Sequence, residues 1–185
     1  MDTALIVIIV IAILIVAAIA AFLYLQSKRS TDLRERFGPE YDRTVSNSGR
    51  LKGEQELSER QKRVEKLNIV PLSNEARRGY AESWRNVQAH FVDEPGKAIG
   101  EADDLVQRVM AERGYPIGDF EQRVADISVD HADVVDNYRK AHSISRAQAG
   151  GGVSTEQLRQ AMVHYKALFE DLLAETPEPS MTQRR

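Results

Sequence analysis

Four histidines, two aromatic–cation groupings and two clusters of acids are the residues whose types and spacing could do chemistry in this chain. His131 lies between Asp130 and Asp133, which puts one imidazole and two carboxylates within reach of a metal ion. Aspartates near a helix start are also what N-capping and the helix dipole favour, and that is the role expected of them. No histidine pair has His-Glu-x-x-His or another ligand spacing. Glu101 and Asp104, three residues apart and beside Asp103, could share a cation, yet acids in the first turns of a helix fit a solvated, dipole-matched face. Trp84 with Arg85, and Tyr138 with Arg139 and Lys140, place rings beside cations as phosphate or nucleic-acid sites do. Buried rings flanked by surface cations explain them equally well. No Gly-x-Ser-x-Gly, nucleophile–base pair or paired-carboxylate signature is present, and Gly150-Gly151-Gly152 lacks the residues of a phosphate-binding loop. The absence of cysteine excludes disulfides, thiolate metal sites and a cysteine nucleophile. The chain is therefore expected to be no enzyme and to hold no cofactor or metal. Trp84, His90, Tyr138 and His142, on or near apolar helix faces, are the candidate lining of a small-ligand pocket.

The elements that must position these residues begin with an apolar run. Ala4 to Leu25 is 22 residues without a charge or strong polar group. At about 1.5 Å per residue it reaches about 33 Å, enough for a hydrocarbon core of about 30 Å. In lipid a helix is the only single segment that satisfies every backbone amide, so the Ile/Val-rich run is expected to be helical. Tyr24 at its end suits the headgroup level. Ala18-Ile19-Ala20 has the small-x-small pattern of a signal-peptidase site. The acidic Met1-Asp2-Thr3 and the length of the run favour an uncleaved anchor over residues 1–27. Lys28, Arg29, Arg34 and Arg36 follow it, against Asp2 before it, so the positive-inside rule places the N-terminus outside and the rest in the cytoplasm of a cell with this as its plasma (inner) membrane protein. These cations could also attract anionic lipid. Ala17 and Ala21 form a small-xxx-small pair that would allow a weak homo-oligomer.

Beyond the anchor, 158 residues suffice for a domain with its own core. Leaving out Asp2, 25 basic residues face 27 acidic ones, a balance that supplies no global field for nucleic acid. Residues 28–53 read as a juxtamembrane segment, with a short helical turn through Leu33 and Phe37 stopped at Gly38-Pro39, then a flexible Ser/Asn/Gly loop over 44–53. Residues 54–69 read as a charged amphipathic helix with the thin stripe Leu57, Val64 and Leu67, either lying on a neighbour or solvated, with Glu56/Arg60 and Glu59/Arg63 at pairing distance along it. Residues 73–174 read as the helical domain. Ser73 caps a helix carrying Ala76, Tyr80, Trp84, Val87 and Phe91; Pro95 opens the next, which Gly114 ends. Shorter helices follow from Asp119 and from about His131, and Ser154 with Gln157 makes a capping box for the last. Residues 175–185, with two prolines, are expected to be a disordered tail. No stretch alternates long enough for a sheet. The expected fold is all-α: a transmembrane helix followed by a soluble bundle of four to six helices.

A set of short motifs runs along the chain: Arg36-Phe37-Gly38-Pro39-Glu40-Tyr41-Asp42, Arg63-Val64-Glu65, Trp84 with Val87-Gln88, Phe91-Val92-Asp93, Arg113-Gly114-Tyr115-Pro116, Asp130-His131, Tyr138-Arg139 with Ala141-His142, and Thr155-Glu156 with Leu158-Arg159. They span most of residues 33–173. In them the chain resembles a family of small bacterial single-pass membrane proteins of unknown function, often labelled hypothetical or secreted. The resemblance implies an architecture and supplies no activity. The expected role is a membrane-tethered cytoplasmic helical interaction module, a scaffold or adaptor for a protein partner. The alternative is a membrane-anchored helical domain that binds a small ligand.

Overall fold

A computed structural model describes residues 3–174, with side chains from residue 11 onward, and so leaves the predicted tail 175–185 outside the described residues. Eight helices and no strand occur among these residues: α1 (Thr3–Phe37), α2 (Pro39–Ser48), α3 (Arg50–Val64), α4 (Asn74–Asp93), α5 (Pro95–Arg113), α6 (Phe120–Ile127), α7 (Val135–Ala149) and α8 (Thr155–Leu173). The chain divides into two compact units, Met1–Leu57 and Ser58–Arg185. The boundary falls inside α3, earlier than the expected start of the helical domain at residue 73.

In the N-terminal unit, α1 is long and apolar enough to cross a membrane. Its side chains from Ile11 to Leu25 are exposed, Phe22 by 65 % and Val16 by 66 %. The helix runs on without a break to Phe37, so the short turn expected there is the end of α1. Gly38 and Pro39 then start α2, with the proline in the first helical turn, where its missing N–H costs nothing. The loop expected over 44–53 is helix except at Gly49. Ser and Asn weaken a helix only slightly, and packing overrides that preference here. A Cβ at Gly53 of α3 would stand 3.0 Å from the Val45 Cα of α2, so the small residue that suggested a loop is what lets two helices approach. Leu33, Phe37, Tyr41 and Leu57 are the buried apolar residues of this unit.

In the C-terminal unit α5 is central, packed against α4, α7 and α8, while α6 lies on α7. Ala98, Ile99, Ala102, Leu105, Val106, Val109 and Met110 of α5 are buried, as are Leu158, Ala161, Met162, Tyr165, Leu168, Phe169 and Leu172 of α8. Each large side chain so buried contributes about 1.5–3 kcal/mol. The predicted caps are formed. Ser73 accepts from the Ala76 N–H at 3.0 Å, and Ser154 and Gln157 exchange the two bonds of a capping box. Gly114 closes α5 with φ +98°, and the Val70 N–H donates to the Arg113 carbonyl at 2.9 Å, which ties the 67–72 connection to that helix end. The second half of the charged helix α3 lies on a neighbour: Arg63 Nε donates to Asp126 of α6 at 2.7 Å, and Arg60 Nη1 to Ser128 Oγ at 3.3 Å.

Candidate functional site

The four predicted pocket residues fall in three surroundings. Trp84 is buried and stacked on Phe169 of α8, ring centroids 4.7 Å apart. His90 is exposed, at the solvent end of the α4 stripe, with Nδ1 2.9 Å from Glu101 of α5. The sequence placed it near an apolar face, but one turn beyond Val87 it is Phe91 that packs on the core, and His90 beside it is left in solvent. Tyr138 and His142, one turn apart on α7, do share a cluster, which has Phe120 and Arg123 of α6 as its other members. The imidazole of His142 stacks on Phe120 at 3.7 Å, and Phe120 meets the Tyr138 ring edge-on at 5.0 Å.

Arg123 organises this cluster. Its Nε donates to the Tyr138 hydroxyl at 2.9 Å and its Nη1 to the Gly118 carbonyl at 2.7 Å. Sequence reasoning missed it, although its register was a signal: it stands three residues after Phe120 and four before Ile127, on the inward face of an amphipathic helix. Asp103 is half-buried rather than part of a solvated acidic face; one oxygen accepts from Gln107 Nε2 at 2.7 Å. Its other oxygen, Tyr165 Oη, His142 Nδ1 and Trp84 Nε1 are buried without a well-formed hydrogen bond. Burial, then the charge of Asp103, pushes the Tyr138 phenol up to about 12, against the opposing pull of Arg123. The Tyr165 phenol is raised by the same two causes, in the same order. Burial lowers the His142 imidazole, opposed by Asp103. At neutral pH the rings of Tyr138, Tyr165 and His142 are therefore neutral.

His131 is not part of a metal grouping with Asp130 and Asp133. Its Nδ1 makes a short contact with Asp171 Oδ2, and its Nε2 lies 3.3 Å from Arg113 Nη1. The same Arg113 nitrogen donates to the Leu172 carbonyl at 2.9 Å. An Asp–His pair invites comparison with acid–base catalysis, but the guanidinium facing Nε2 takes the lone pair a base would use. The arrangement instead fastens the end of α8 to that of α5. Among the described residues no group of three His, Cys, Asp or Glu could hold a metal ion.

The N-terminal unit holds a second polar cluster, which the sequence reading passed over. Glu54 Oε1 accepts from Ser30 Oγ at 2.7 Å, Tyr41 Oη at 2.8 Å and Arg50 Nε at 2.9 Å, so one carboxylate oxygen joins α1, α2 and α3. Burial alone would raise this carboxyl; the bonds from Ser30, Arg50 and Tyr41 outweigh it and hold it below its ordinary value. Next to it, Phe22, Leu25, Gln26 and Arg29 of α1 face Leu51, Glu54 and Gln55 of α3 across a groove of about 520 Å³.

No family model, curated protein or solved structure matches this chain. The geometry is therefore the ground on which a function can be argued.

Proposed function

We propose that the chain is a single-pass membrane protein whose C-terminal helical unit serves, on the cytoplasmic side of the plasma membrane, as an interaction module for a protein partner. The observation that carries the anchor is the row of exposed apolar side chains from Ile11 to Leu25 on one continuous helix. A soluble protein rarely leaves so long an apolar surface uncovered, whereas lipid covers it without cost. Lys28, Arg29, Arg34 and Arg36, all after the apolar run, favour a cytoplasmic domain. The interaction role is supported by how the reactive groups are used. His131 lies between Asp171 and Arg113, Tyr138 is held by Arg123, and buried Asp126 accepts from Arg63 and Gln122, so each spends its chemistry joining helices. Ala17 and Ala21 on α1 would let two copies approach within the bilayer.

A second reading, binding of a small ligand, is favoured by one observation. Asp103, Tyr165 and His142 each keep a buried polar atom without a well-formed bond around the Arg123–Tyr138 pair. Buried polar groups of this kind are uncommon and mark sites as well as strain.

Reporters fused after Arg185 in a bacterial host test the topology. A fluorescent protein that matures only in the cytoplasm should be bright, and alkaline phosphatase, active only outside, should be silent. An active phosphatase fusion would place the helical unit on the other side.

A further inference from the structure

We draw no further inference here: the strongest candidate, the groove that Phe22, Leu25 and Gln26 of α1 form with Leu51 and Glu54 of α3, carries nothing, because nothing in the structure shows what covers it.

Discussion

Arg123 and Tyr165 show how single residues in the helical unit combine structure with unspent polarity. Arg123 occupies an inward position of α6 and is bonded through two of its nitrogens, to Tyr138 and to Gly118. Tyr165 is fully buried near Asp103 and Ser145, but its hydroxyl makes no well-formed bond. Removing an unsatisfied buried hydroxyl relieves a desolvation cost, so Tyr165→Phe should leave stability unchanged or raise it by about 1 kcal/mol. Thermal unfolding of the full chain in detergent, followed by circular dichroism, reads this directly. A loss of several degrees would mean that the hydroxyl is engaged, and it would remove one of the three unbonded atoms on which the small-ligand reading rests. The sequence disclosed the position of Tyr165, because helical spacing on α8 is regular, but not the state of its hydroxyl. Whether a buried polar atom finds a partner depends on a neighbouring helix that is remote in sequence, here Asp103 on α5. The same limit explains His131. Its sequence neighbours Asp130 and Asp133 suggested a metal grouping, while its actual partners, Arg113 and Asp171, lie 18 and 40 residues away.

Helices α4, α5, α6 and α8 were legible because each carries an apolar face beside a recognisable cap, as at Ser73, Gly114, Asp119 and Ser154, whereas α7 has no side-chain N-cap and begins at Val135, four residues after the start expected near His131. Gly114 is the position where that reading can be pressed hardest. Its φ of +98° suits glycine, and a Cβ there would come within 2.4 Å of the Asn68 carbonyl oxygen in the connection crossing the end of α5. Gly114→Ala should therefore cost at least about 1–2 kcal/mol from the left-handed backbone alone. The expected result is a lowered melting temperature with helix content unchanged at low temperature; an unaltered melt would show that residue 114 is not held in the left-handed conformation. The face of α8 gives a second test. Leu168 and Leu172 are 0 % and 1 % exposed, so Leu168→Asp or Leu172→Asp buries a charge and opens a cavity, at a cost of about 3–5 kcal/mol. Loss of cooperative unfolding is the expected readout, and an unshifted melt would place α8 outside the core. Residues 44–53 were not legible for the opposite reason. Serine, asparagine and glycine there favour a loop locally, and only the contacts of Val45 with Gly53 and of Glu54 with Ser30 and Tyr41 make the segment helical.

At the scale of the whole helical unit, buried titratable rings set the pH range over which it stays folded. Burial, then interaction with Glu112, raises Tyr80 to about 12, and burial followed by Asp103 raises Tyr138 to about 12. Burial is also the leading cause of the upward shifts at Tyr115 and Tyr165. A phenol whose folded value lies above its ordinary 10 contributes stability that is fully present below pH 10, where both states are protonated. Above pH 10 the unfolded chain releases its protons and the folded one does not, so that stability is lost as pH rises toward about 12. Histidine works in the other direction. His142 and His164 are lowered, mainly by burial, so below their ordinary 6.5 the unfolded chain binds protons that the folded one refuses. Their contribution is present above pH 6.5 and declines as pH falls through the lowered values. Melting temperature should therefore form a plateau between these two limits. On the alkaline side, tyrosinate absorbance from the buried Tyr115, Tyr138 and Tyr165 should appear together with the loss of helix. Gradual ionisation of these three, ahead of any change in circular dichroism, would show that the packed interior admits water and hydroxide. A closed unit suited to presenting its outer surface to a partner predicts the cooperative outcome, because groups that titrate only on unfolding are not reached from the solvent side.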